Sequence, residues 1–141
     1  HREVAAVVGV ETVAVGQVLG RNDGVATLEV GRSRLVAVDP GGESRDFYVC
    51  IRGEDVTLEC GRPSQSSARN HLAGLVTDII PTGVLTKVVL DVGFDLVALV
   101  TRQAADDLKL SRGNEIWAAF KASNVHLIKR HGDSVSLPEP A

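Results

Sequence analysis

Large side chains are scarce in this sequence: there is no methionine, one tryptophan, one tyrosine and three phenylalanines in 141 residues. A core must therefore be filled mainly by Val, Leu and Ala. Charge of one sign is also lacking, since the formal net charge is −3, and a nucleic-acid role has little electrostatic support. No apolar run approaches membrane-spanning length and His1-Arg2-Glu3 begins no secretory signal, which argues against direct membrane insertion. The chain begins within a strand-like pattern and has no Met, which suggests a piece cut from something longer. Cysteine is limited to Cys50 and Cys60, ten positions apart and without CxxC or His/Cys metal spacing. Both fall at buried-looking strand positions, where cysteine acts as a small hydrophobe. A reducing, cytoplasmic setting fits. His71, His126 and His131 show no paired ligand geometry, and Asp106-Asp107 reads as a solvated helix face, so no metal site is expected. Nor is there a paired acid and base of the kind catalysis needs.

What is present is short β-branched runs separated by Gly, Asp and Asn, the pattern of an all-β sandwich or barrel. Ala5-Ala6-Val7-Val8 ends at Gly9. A run at 16–20 leads into Arg21-Asn22-Asp23-Gly24, a strong hairpin signal. Ala26, Leu28 and Val30 alternate with polar neighbours and should face inward. Further strands are expected at 35–38, 47–52 and 56–60. The polar, turn-rich segment Gly61-Arg62-Pro63-Ser64-Gln65-Ser66 is a plausible boundary. Beyond it, strands are expected at 75–80, 86–92, 96–100, 116–120 and 125–128. Only 101–108 breaks the rhythm, and it reads as a short helix capped by Thr101. Residues 131–141 read as a loose tail.

The halves repeat. Ser67 to Gly74 falls over Gly9 to Gly16, and Ile116 to Val125 falls over Phe47 to Val56. The Thr101 helix replaces the shorter Pro40-Gly41-Gly42 loop. Two copies of a five-stranded unit imply tandem OB-like barrels, residues 1–64 and 65–130, with a short helix in the second and a tail at 131–141.

Two segments at the ends of the second copy stand out: Ser66-Ser67-Ala68-Arg69-Asn70 and Lys121-Ala122-Ser123-Asn124. An oxyanion leaving water needs its hydrogen bonds replaced. Backbone N–H groups beside small residues (Ala68, Ala122), the hydroxyls of Ser67 and Ser123, an inward Asn70 amide and the charge of Arg69 or Lys121 would all serve. Thr101, heading its helix, would aim free N–H groups at the same pocket. In the first copy Glu11 stands where Arg69 does and Glu54 where Ser123 does, and carboxylates there would repel an anion. Taken by composition alone, the plainer reading is a linker and a turn.

Together the two segments, with Gly74, Thr101 and the sequence Phe120-Lys121-Ala122-Ser123-Asn124-Val125, resemble the Mop (molbindin) domain from Ser66 to about Arg130. The first half, through Glu3 to Glu11 and Cys50 to Val56, resembles the degenerate TOBE-type partner that follows the nucleotide-binding domain in ABC importer ATPases. The whole is similar to the C-terminal regulatory region of a molybdate or tungstate importer ATP-binding subunit. This resemblance implies an oxyanion ligand, molybdate or tungstate, held between copies by Ser67, Ala68, Arg69 and Asn70 of one and Lys121, Ala122 and Ser123 of another, with Thr101. Where the family often has a second pocket hydroxyl, this chain has Ala104. It also implies feedback (trans-) inhibition of uptake, a homodimer, and partnership with the parent ATPase domain and, through it, a membrane permease at the cytoplasmic face of the inner membrane. The chain has no G-x-x-x-x-G-K-[ST] loop, so it should not itself hydrolyse ATP. A stand-alone molybdate storage protein and a ligand-free dimerisation domain are the alternatives.

Overall fold

The computed structural model describes residues 5–61 and 65–131. Residues 1–4, positions 62–64 of the expected boundary loop and positions 132–141 of the expected tail lie outside the described residues. Eleven strands are formed among the described residues: β1 (Ala5–Val8), β2 (Glu11–Asn22), β3 (Val25–Val30), β4 (Ser33–Val38), β5 (Asp46–Arg52) and β6 (Thr57–Glu59), then β7 (Asn70–Thr82), β8 (Leu85–Asp91), β9 (Asp95–Thr101), β10 (Glu115–Phe120) and β11 (Val125–Lys129). One helix, α1 (Arg102–Asp107), follows β9, and 3-10 turns at Gly53–Asp55 and Ala122–Asn124 precede β6 and β11. All pairings are antiparallel, and the result is the expected all-β pair of OB-like units with a short helix in the second.

Local chemistry explains the turns. Asp23 and Gly24 link β2 to β3 with φ of 53° and 78°. Two successive positive φ values make the type I′ turn whose twist suits a two-residue hairpin. Ala26, Leu28 and Val30 are fully buried, as their alternation requires. Thr101 caps α1: Ala104 N–H donates to its Oγ1 at 3.0 Å.

The first sheet has the order β11-β5-β2-β3-β4, with β1 added on β2, and the second the order β6-β10-β7-β8-β9. The last strand of each repeat thus crosses over: β6 pairs with β10 of the second repeat, and β11 with β5 of the first. Register reproduces the internal repeat. Gly16 faces Phe47 and Thr12 faces Ile51 in one sheet, while Gly74 faces Ile116 and Asn70 faces Phe120 in the other. Both sheets contribute to a single core, Leu28, Phe47 and Ile51 from one and Leu90, Leu96 and Phe120 from the other.

The units meet through reciprocal polar contacts. Val97 N–H on β9 donates to the fully buried Thr12 Oγ1 at 2.9 Å. In the other direction, Val36 N–H on β4 donates to Asn70 Oδ1 at 2.8 Å, and Asn70 Nδ2 donates to the Val36 carbonyl at 2.9 Å. The β3–β4 and β8–β9 turns also abut. Arg32 N–H donates to the Gly93 carbonyl at 3.0 Å, and Ser33 Oγ donates to the Val92 carbonyl. Gly31, at φ 57°, sits so close to the Gly93 carbonyl that no side chain fits there.

Three details differ from expectation. β2 and β7 begin five residues early, at Glu11 and Asn70, because their first halves pair with β5 and β10. Cys60 is exposed just past β6, whereas Cys50 is buried as expected. Burial pushes the Cys50 thiol pKa up, and the Glu11 carboxylate adds to the rise.

Candidate oxyanion site

β7 and β10 bring the two marked segments to one place. Asn70 at the start of β7 is the register partner of Phe120 at the end of β10. In an antiparallel pair the residues before one and after the other leave the sheet together. Arg69 and Lys121 therefore emerge side by side, with Ser67-Ala68 leading in and Ala122-Ser123 leading out. Ser67, Arg69, Lys121 and Ser123 are exposed, while Ala68 and Ala122 are half-buried. Two cations, two hydroxyls and two small residues thus share one rim.

Asn70 is placed differently from its neighbours. It is 3% exposed, and its carboxamide bonds both backbone groups of Val36, so it anchors the rim to the first unit rather than offering the amide outward. Ala68 is also engaged. Its N–H donates to Ser66 Oγ at 3.2 Å, and its carbonyl accepts from His71 Nε2 at 2.7 Å. No sequence pattern signals the His71 contact, and the one hint at the Asn70 clasp is its alignment with Thr12.

Thr101 ends a strand whose packing differs from that of the rim. The 3-10 turn Ala122–Asn124 packs on β4, whereas β9, which Thr101 ends, packs on the other 3-10 turn, Gly53–Asp55. Thr101 is exposed, and Leu99, two residues before it on β9, lies against Gly53 of the first repeat's turn, where Glu11 and Arg52 are register partners and Glu54 is exposed. The first repeat's turn is also tighter. A Cβ on Gly53 would lie 2.8 Å from the Val10 carbonyl and 3.2 Å from Leu99 N, whereas the matching Ala122 carries one.

Elsewhere, an open groove of about 590 Å³ is lined by Arg32, Gly74, Asp91 and Glu115 among others, and none of the candidate oxyanion-binding residues lines it. Its two carboxylates make it a poor host for an oxyanion. Asp106 and Asp107 lie exposed on α1, and His126 is exposed on β11. Tyr48 is buried and Trp117 half-buried at equivalent repeat positions, with the Arg130 guanidinium 5.5 Å from the Tyr48 ring centre. Among the described residues no group of three His, Cys, Asp or Glu gathers as for a metal, and no helix is long and apolar enough to cross a membrane.

The chain is thus a tandem pair of OB-like units with two cations and two hydroxyls at one end of the β7–β10 pair. Residues 66–127, most of the second repeat, match the TOBE domain model. The chain is 34% identical over 103 residues to the molybdenum import ATP-binding protein ModC of Mannheimia succiniciproducens, covering 72% of this chain and 29% of that protein. It is 35% identical over 126 residues to the molybdate/tungstate import ATP-binding protein WtpC of Pyrococcus horikoshii, covering 89% of this chain and 34% of that one. The chain therefore spans about a third of the length of these curated relatives. Among solved structures, the cytoplasmic molybdate-binding protein ModG, with molybdate bound, superposes with a TM-score of 0.69 at 27% identity, covering 82% of this chain and 93% of that chain.

Proposed function

We propose that this chain is the oxyanion-sensing part of a molybdate or tungstate importer ATP-binding subunit, and that the ligand sits on the rim formed by Ser67, Ala68, Arg69, Lys121, Ala122 and Ser123. The observation that carries this reading is the convergence of Arg69 and Lys121 at one end of the β7–β10 pair. A tetrahedral dianion held there would accept from the guanidinium, the ammonium, the two hydroxyls and backbone N–H groups. Charge-assisted bonds of this kind are roughly twice as strong as neutral ones. Asn70 would support the rim from behind, through Val36. Filling the rim would hold uptake in check when internal oxyanion is abundant. The division of labour follows the repeats, with 65–130 binding and 1–64 as the degenerate partner.

A homodimer belongs to the same reading. Within one chain the strand that Thr101 ends packs on the first repeat's turn, so a second copy is the natural source of that hydroxyl. The full-length protein would act at the cytoplasmic face of the inner membrane, its own ATPase domain doing the hydrolysis and a permease the transport, while this part has no catalytic role. The similarity to nearly the whole ModG chain favours a second reading, a stand-alone molybdate-binding protein. Calorimetric titration with molybdate, tungstate, sulfate and phosphate tests the ligand, and sedimentation with and without tungstate tests the dimer. Tight binding of molybdate and tungstate is expected. Phosphate binding without molybdate binding would contradict the proposal, and many anions per oligomer would favour the stand-alone reading.

A further inference from the structure

His71 lies one residue past the marked segment, and nothing in the function above uses it. Its Nε2 is 2.7 Å from the Ala68 carbonyl oxygen. A carbonyl can only accept, so Nε2 must carry the proton. Nδ1 is buried and makes no hydrogen bond among the described residues. The imidazole is thus committed through a single atom, and that atom holds the middle of the anion rim. His71 itself is fixed by the sheet, since it is the register partner of Ala119 on β10.

The consequence follows from the peptide plane. In a trans peptide the carbonyl of one residue and the N–H of the next point in opposite directions. Pinning the Ala68 carbonyl onto the ring turns the Arg69 N–H to the other side of the plane, away from the imidazole. The segment is then shaped before any ligand arrives, with the Ala68–Arg69 peptide held in one orientation. A loop already in its bound conformation loses less freedom on binding. We infer that His71 is a positioning residue of the oxyanion site: its Nε2–H fixes the Ala68–Arg69 peptide so that the Arg69 N–H is presented as a donor. This inference rests on the oxyanion reading of the rim and adds to it a residue that does not touch the ligand.

The two ring nitrogens give a direct test, because glutamine reproduces a donor at the Nε2 position and asparagine one at the Nδ1 position. Tungstate affinity of the whole chain is measured by calorimetry for the wild type, His71→Gln and His71→Asn, with thermal midpoints recorded without ligand. His71→Asn is expected to bind about tenfold more weakly, and His71→Gln within about threefold of wild type. Ring-nitrogen NMR of the ligand-free wild type should report the proton on Nε2. Wild-type binding that His71→Asn leaves intact overturns the inference while sparing the oxyanion reading. Equal weakening in both variants also overturns it, since bulk rather than the Nε2 hydrogen bond would then matter, and so does a proton found on Nδ1 alone. A wild type that fails to bind tungstate at all overturns both.

Discussion

The two repeats share a backbone plan and differ in charge. At matching positions the first carries Glu11, Arg52, Gly53 and Glu54, and the second Arg69, Lys121, Ala122 and Ser123. The first repeat's rim therefore holds its own carboxylates against its one cation, while the second has two cations and no acid among the matching residues. The residues that join the units show a parallel contrast. Thr12 holds Val97 through one hydrogen bond, and Asn70 holds Val36 through two. The more strongly anchored of the two rims is the one with the charge to bind an anion, and its anchor is part of the same four-residue segment. On the proposed reading, both copies supply scaffold and only the second adds a ligand rim.

Exchanging residues between the repeats should have the largest effect. Arg69→Glu, which gives the second rim the first rim's residue, should weaken tungstate binding by at least about 100-fold, because it removes one charge-assisted donor and adds repulsion. Glu11→Gln in the first rim should change it by less than about twofold. Calorimetry reads both, and comparable effects of the two changes would erase the proposed difference.

The clasp is next in size. Asn70→Ala removes both bonds to Val36 and should cost about 3 kcal/mol, whereas Thr12→Ala, removing one acceptor, should cost about 2 kcal/mol. Urea midpoints measure the pair, and a larger loss for Thr12→Ala would reverse the ranking. The glycines should behave alike. A Cβ at Gly16 would lie 2.7 Å from Val49 Cγ2, and one at Gly74 2.7 Å from Val92 Cγ1. Gly16→Ala and Gly74→Ala are each expected to destabilise by about 1–3 kcal/mol, the range for overpacking. A neutral result at either position would show that its neighbour yields freely.

The smallest expected effect is confined to high pH. Cys50 matches Ala119 of the second repeat. Its folded pKa is raised above the ordinary thiol value, by burial first and by Glu11 second. The folded state thus keeps a proton that the unfolded chain releases. Stability from this group is intact below the unfolded pKa and declines as pH rises from there through the folded pKa. As pH rises past the ordinary thiol range the wild type should lose more stability than Cys50→Ala, as read from urea midpoints. Parallel curves would contradict the assignment.

Much of this was legible because its causes are local. Asp23-Gly24 needs only its own two positive φ angles to make a hairpin, and Thr101 needs only the N–H of Ala104 three residues on. Gly16 and Gly74 aligned because both lie where a strand crosses too close to a neighbour for a side chain. The opening of β7 was hidden: Asn70-His71-Leu72-Ala73-Gly74 contains no β-branched residue, and its strand form comes from pairing with β10. The crossing of β6 and β11 was equally hidden, since nothing in a three- or five-residue strand states which sheet it will join. At the candidate site, Arg69 and Lys121 could be picked out by type and their approach is explained by register. The Asn70 clasp depends on a backbone 34 positions away, and no local pattern reports such a partner.

On the proposed reading the second repeat alone has the donors to hold a tetrahedral dianion. Anomalous diffraction from tungsten, in crystals of this chain grown with tungstate, tests it most directly. A tungsten peak is expected within hydrogen-bond reach of Arg69, Lys121 and the Ser67 and Ser123 hydroxyls, and none beside Glu11 and Glu54. A peak confined to the first repeat's rim, or no peak at Arg69 and Lys121 at saturating tungstate, would contradict it.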